Sequence, residues 1–92
     1  MKSKFQFDYS EQAVVFLEER IDEDDVYADA YIIFEDLISR YPKIGDPLDR
    51  PPLVFRRVPI RIPNLRELAF YYLIKGKRIE VFRVEFADET PL

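Results

Sequence analysis

The feature that most constrains this chain is a cluster of breakers near its middle: Pro42, Gly45, Pro47, Pro51 and Pro52. Proline has no amide proton and a locked φ, so no helix runs through such a stretch, and it reads as a loop. The loop separates a first part with helical spacing from a second part with strand spacing. Ninety-two residues make one small domain, so the two parts share a single core. The apolar fraction of 48% is enough to build it.

Ahead of the loop, Phe5, Phe7 and Tyr9 alternate with Lys4, Gln6 and Asp8, which predicts a half-buried strand over residues 2–9. Ser10 then precedes Glu11-Gln12-Ala13 as an N-cap, opening a helix that runs to about Arg20 with Ala13, Val14, Phe16 and Leu17 on its apolar face. Asp22-Glu23-Asp24-Asp25 supplies a break and a new N-cap; it lacks the spacing and glycine of a calcium loop, so no metal site is read there. A second helix carries two adjoining stripes, Val26, Ala30, Ile33, Leu37 and Tyr41 beside Tyr27, Tyr31, Phe34 and Ile38, and so wide a face predicts burial on more than one side. Tyr27, Tyr31 and Tyr41 at helical spacing are core or rim packing, not a stacking platform.

Beyond the loop the pattern predicts strands over residues 53–62, 66–74 and 78–86, with a turn near Pro63-Asn64 and a hairpin at Lys75-Gly76-Lys77. The order is β-α-α-β-β-β, an α+β fold with a helical hairpin packed on a small antiparallel sheet. Strand parity points Val58, Ile60, Ile62, Leu68, Phe70, Tyr72, Ile74, Phe82, Val84 and Phe86 at the helices. It places Phe55, Arg57, Arg61, Glu67, Ala69, Tyr71, Ile79, Val81, Arg83 and Glu85 on the opposite face. Pro59 cannot donate to a ladder, so its strand is an edge there or it bulges.

Composition removes many chemistries. With no cysteine and no histidine there is no disulfide, thiol nucleophile, Cys/His zinc site or imidazole base. Two glycines exclude a dinucleotide-binding fingerprint or a P-loop, and no cofactor is read. No apolar run is long enough to cross a bilayer, and the basic start leads into an alternating segment unlike a signal peptide, so the expected location is the cytoplasm. Charge is partitioned along the chain. Residues 1–49 hold five basic and thirteen acidic side chains, net −8, while residues 50–83 hold nine basic against two acidic, net +7, and the last nine residues are net −3. The basic segment could meet a phosphate backbone or an acidic peptide, or could simply face the acidic helices.

Phe5-Gln6-Phe7-Asp8-Tyr9-Ser10-Glu11-Gln12-Ala13, then Tyr41-Pro42-Lys43-Ile44-Gly45, then Leu68-Ala69-Phe70-Tyr71-Tyr72 through Ile79-Glu80-Val81-Phe82-Arg83-Val84 resemble the RelE/ParE superfamily of bacterial toxins over nearly the whole chain. The resemblance implies a toxin of plasmid-stabilisation type, masked by a cognate antitoxin and acting on DNA gyrase or on messenger RNA at the ribosome. In RNA-cutting members a Tyr-Arg-hydrophobic-hydrophobic-Tyr pattern supplies a catalytic arginine; aligning Tyr71-Tyr72 with its end puts Ala69 at that position. Where such members end in basic, tyrosine or histidine residues, this chain has Phe86-Ala87-Asp88-Glu89. RNA cleavage needs a base, an acid and cations for the phosphorane charge. Arg57, Arg61 and Arg83 could supply the cations, Glu67 the base and Tyr71 the donor, making Arg61, Glu67, Tyr71 and Arg83 the candidate catalytic set. Arg56, Arg57, Arg61, Arg66, Lys75, Lys77 and Arg78 are the candidates for contact with a partner or nucleic acid; cross-strand pairing with Glu67, Glu80 or Glu85 is their alternative use. The departures favour a toxin that works by macromolecular binding and presents an apolar groove to its antitoxin. A ribosome-dependent endoribonuclease with a rebuilt site, and a non-toxic binding module, are the alternatives.

Overall fold

The computed structural model describes residues 5–48 and 55–89. Strand positions expected at 2–4 and 53–54, and the loop residues Arg50, Pro51 and Pro52, lie outside the described residues. Strand β1 (Gln6–Tyr9) leads into helix α1 (Glu11–Glu23), a single 3-10 turn (Asp25–Tyr27) and helix α2 (Ala28–Arg40). Then come a two-residue strand β2 (Asp46–Pro47) and the strands β3 (Phe55–Ile60), β4 (Leu68–Lys75) and β5 (Arg78–Phe86). The sheet order is β1-β5-β4-β3-β2. Strands β2 to β5 are antiparallel neighbours, but β1 lies parallel to β5, so the sheet is mixed where an antiparallel one was expected. That follows from the connection: β1 reaches the sheet through the helical hairpin, a crossover long enough to permit parallel pairing.

Local chemistry sets the boundaries. Ser10 caps α1, its Oγ accepting from the Ala13 amide at 3.2 Å while its hydroxyl donates to the Phe82 carbonyl at 2.8 Å. Helix α1 runs three residues past Arg20, into the acidic cluster, before Asp24 stops it; the Asp24 carboxylate then accepts from the Val26 amide and starts the next turn. Gly76, the first of two residues between β4 and β5, takes φ 59°, a conformation that suits glycine in a tight hairpin. Pro59 sits on the side of β3 that β2 leaves unpaired beyond Arg57, so its strand is an edge there, with the β3–β4 register unbroken.

The core lies between the helices and one face of the sheet. Phe34 is at its centre, stacked on Phe70 with centroids 4.4 Å apart and edge-on to Phe7 and Tyr72. Only part of the apolar surface of α2 is covered. Tyr27, Ala30, Phe34 and Ile38 are buried, but Val26, Ile33 and Tyr41, expected inside, are exposed, as is Ile32. A two-layer fold gives a helix one covered side, and Val26, Ile33 and Tyr41 of the first stripe lie off it.

The breaker loop is tied down by β3 and β4. The Tyr72 hydroxyl donates to the Pro42 carbonyl at 2.8 Å and accepts from the Gly45 amide at 3.1 Å, while Arg56 donates to the carbonyls of Lys43 and Gly45. The β4–β5 ladder contains a bulge. Tyr71 pairs with Arg83 and Tyr72 with Val81, leaving Phe82 as an extra residue. The bulge corrects the predicted faces of β5: Ile79 and Val81 join Val84 in the core, and Phe82 turns out to the opposite side. Past the end of β1 the open edge of β5 is finished by a side chain, the Gln12 amide donating to the Val84 carbonyl at 2.9 Å and accepting from its N–H at 3.1 Å. Among the described residues no helix is long and apolar enough to cross a membrane.

Candidate functional site

Both helices lie on one face of the sheet, so the other face displays whatever its strands place there. Strand register puts Phe55, Leu73 and Glu80 in one row, Arg57, Tyr71 and Arg83 in the next, and Pro59, Ala69 and Glu85 in a third. The bulged Phe82 packs edge-on to Phe55 with centroids 4.9 Å apart and lies 6.2 Å from Tyr71. Ala69, Tyr71 and Leu73 are buried here without belonging to the main core, because the long side chains around them close over the sheet.

A hydrogen-bonded cluster organises the centre. The Tyr71 hydroxyl donates to Glu85 Oε2 at 2.7 Å and accepts from Arg57 Nε at 3.1 Å. Arg83 Nε donates to Glu85 Oε1, also at 2.7 Å, and Arg57 Nη2 reaches the Ala87 carbonyl at 2.9 Å. The Glu85 side chain is only 8% exposed and that of Arg83 53%, so the guanidinium lies over a buried carboxylate. Burial, and then the bond to Glu85, raise the Tyr71 phenol above its ordinary value against the opposing pull of Arg57. The same carboxylate raises Arg83, which stays a cation.

Of the four candidate catalytic residues, the structure brings Tyr71 and Arg83 together, through Glu85. Arg61, past the end of β3, and Glu67, just ahead of β4, are exposed and outside this cluster. Glu67 contributes its carbonyl, which accepts from the Ala87 amide. Among the contact candidates, Arg56 holds the breaker loop, Lys75 pairs with Glu80 at 3.1 Å and Arg78 with Asp8 at 3.0 Å. Arg66 lies 3.6 Å over the Phe86 ring and pairs with Asp88 at 2.8 Å, so one carboxylate of the acidic end is neutralised. Lys77 and Arg61 have no ion-pair partner among the described residues. Sequence reasoning missed Glu85 as the hub and Phe82 as a surface aromatic. An acid between Val84 and Phe86 was the available signal for the first; the bulge that re-aims the second leaves no mark in strand parity.

On the helical side, Tyr9, Val14, Leu17, Glu18, Ile21 and Tyr31 line an apolar recess of about 190 Å³. Beside it the Tyr9 hydroxyl donates to Glu35 at 2.6 Å, and burial together with that carboxylate raises the phenol far above its ordinary value.

No family model matches the sequence, and no curated protein matches it. Its fold is similar to a chain of a solved structure described as the chromosomal ParDE TA system from P. aeruginosa, with a TM-score of 0.56 at 13% identity over 95% of this chain and 100% of that one. At that identity the likeness shows a shared α+β fold, one found in a toxin–antitoxin system.

Proposed function

We propose that this protein is a toxin of a type II toxin–antitoxin system, masked by a cognate antitoxin and acting by binding a macromolecular target, DNA gyrase in the ParE manner, and not by cutting messenger RNA. The carrying observation is the cross-strand pair of Ala69 with Glu85. Where the resemblance puts the catalytic arginine of RNA-cutting members there is a methyl group, and opposite it a buried carboxylate. Phosphoryl transfer needs positive charge at that point to hold the charge developing on phosphorus, and an anion there raises the barrier. Among the described residues the carboxylate of this cluster is Glu85, and both of its oxygens already accept, from Tyr71 and Arg83, which places it poorly to take a 2′-hydroxyl proton.

The fold shared with a toxin–antitoxin system supports the general reading. The apolar recess beside α1 and α2, with Val14, Val15, Ile32 and Ile33 exposed, is the surface best suited to an antitoxin segment. Among the described contact candidates, Arg61 and Lys77 are the ones whose side chains are left to meet the target. The test is induced expression in a bacterial host, following growth with pulse labelling of DNA and protein synthesis. The reading expects arrested growth with DNA labelling falling first and filamentous cells. A first and fast fall in protein labelling, with new messenger cleavage products, overturns it in favour of the endoribonuclease; unaffected growth overturns toxicity and leaves a binding module.

A further inference from the structure

The Glu85 cluster carries an inference that does not depend on whether the chain is a toxin. A carboxylate that is 8% exposed has to be paired, and each oxygen of Glu85 is met by one donor at 2.7 Å, the Tyr71 hydroxyl and Arg83 Nε. The Arg57 Nε–H points at the Tyr71 oxygen, polarising the phenol toward the carboxylate. One guanidinium and a phenol thus meet the anion directly, and a second guanidinium, Arg57, backs the phenol. The Arg83 side chain is half exposed, and its two terminal nitrogens have no partner among the described residues, so the cation retains donors on the solvent side. Planar guanidinium forks and a hydroxyl are the groups that hold phosphate oxygens. What keeps a phosphate out is the anion already present, because like charges a few ångströms apart at a partly desolvated site repel strongly.

We propose that Arg83 and Tyr71, backed by Arg57, form a phosphate-binding site that the chain fills with its own Glu85 carboxylate, so that the native face rejects phosphate groups and loss of the Glu85 charge admits them. Glu85 is then a specificity residue. It makes an open sheet face with two arginines unattractive to free phosphate and to phosphodiester backbones alike.

The experiment compares the native protein with Glu85→Ala and Glu85→Gln. Inorganic phosphate is titrated while backbone amide resonances of β4 and β5 are followed by NMR, and a labelled single-stranded RNA is titrated separately by fluorescence anisotropy, with and without phosphate as competitor. The native protein is expected to show no saturable shift at Tyr71 or Arg83. Glu85→Ala, folded by the same spectra, is expected to bind phosphate at least about tenfold more tightly, with the gain removed by adding Arg83→Ala, since that change deletes the charged donor. If Glu85→Ala does not fold, Glu85→Gln, which preserves side-chain volume and an acceptor for Tyr71, serves in its place and is expected to gain affinity in the same direction. A folded variant with native phosphate affinity overturns the proposal, and so does a gain that survives Arg83→Ala. RNA binding that rises and is competed by phosphate identifies backbone phosphodiesters as a source of the ligand, whereas a phosphate gain without an RNA gain identifies a small anion. An RNA gain that phosphate does not compete for reflects bulk charge and overturns the local site.

Discussion

Gly45→Ala tests whether the breaker loop is locked to the sheet as the structure describes. Gly45 has no unusual φ, so the effect of a methyl group there is steric and not conformational. An added Cβ would lie 2.8 Å from the Tyr72 hydroxyl oxygen, 2.9 Å from its Cε1 and 3.1 Å from Arg56 Cβ. Tyr72 is fully buried against Phe34 and cannot swing away, so either the loop moves or the ring does. Overpacking of this kind costs about 1–3 kcal/mol. Moving the loop also lengthens the bond from the Gly45 amide to the Tyr72 hydroxyl, and breaking it costs roughly another 1 kcal/mol. A loss of about 2–4 kcal/mol is therefore expected, which for a domain of this size lowers Tm by roughly 10 °C or more. Urea unfolding measures it, with the midpoint moving at constant slope if both states keep their compactness. The double variant with Tyr72→Phe supplies the sharper check. Removing the hydroxyl eliminates the worst contact but leaves Cε1, so the two changes should be less than additive by about 1 kcal/mol. A Gly45→Ala protein within about 0.5 kcal/mol of native, or strict additivity, would refute the locked-loop geometry.

Two further outcomes follow from other contacts. Tyr9 has its phenol raised above the ordinary 10.0, which favours the neutral form in the folded protein; its contribution is complete below the ordinary value and is lost as pH rises from there toward the folded one. Stability measured by urea should thus fall as pH climbs above 10, and Tyr9→Phe should flatten that fall while costing about 1 kcal/mol at neutral pH through the lost bond to Glu35; an unchanged alkaline slope would remove Tyr9 as its source. Gln12→Ala deletes both hydrogen bonds to the Val84 peptide and should cost about 1–2 kcal/mol, with faster exchange of the Val84 amide by NMR as the local readout and a protected amide as the contrary result.

The residues whose partners are close in sequence, or whose pattern is periodic, were readable in advance. Ser10 as N-cap, the Asp22-Glu23-Asp24-Asp25 cluster as break and cap, the Gly76 hairpin and the inward set Val58, Ile60, Leu68, Phe70 and Tyr72 all follow from local chemistry and from parity. What escaped depends on tertiary relations. One extra residue at Phe82 reverses the parity of the β5 residues ahead of it, and periodicity cannot announce a bulge. The parallel pairing of β1 with β5 is decided by topology, which alternation in either strand does not encode. Val26, Ile33 and Tyr41 look like core because burial is inferred from apolarity, and apolarity equally describes a surface awaiting a partner. At the candidate site, Tyr71 and Arg83 were visible as polar side chains in apolar strands, but the assignment of Arg61 and Glu67 to the same site rested on parity carried past the ends of β3 and β4, where the strand geometry no longer holds.

The distribution of ion pairs bears on which kind of target such a protein can hold. By sequence, residues 50–83 carry a net charge of +7 and invite a nucleic-acid reading. In the structure most of that charge is already engaged: Arg83 with Glu85, Lys75 with Glu80, Arg78 with Asp8, Arg66 with Asp88, and Arg56 and Arg57 with backbone carbonyls. Nucleic-acid affinity grows with the number of phosphates neutralised, through release of condensed counterions, and roughly 6–10 such contacts accompany tight, strongly salt-dependent binding. Among the described residues of that segment the cations left without such a partner are Arg61 and Lys77, which fall far short of that. Protein interfaces make a different demand, for aromatic and arginine side chains at the centre and neutralised charge around them. Phe55, Phe82 and Arg83 lie together on the open sheet face, with Arg83 neutralised by Glu85, and that grouping meets the demand of a protein interface more closely than that of a phosphate backbone.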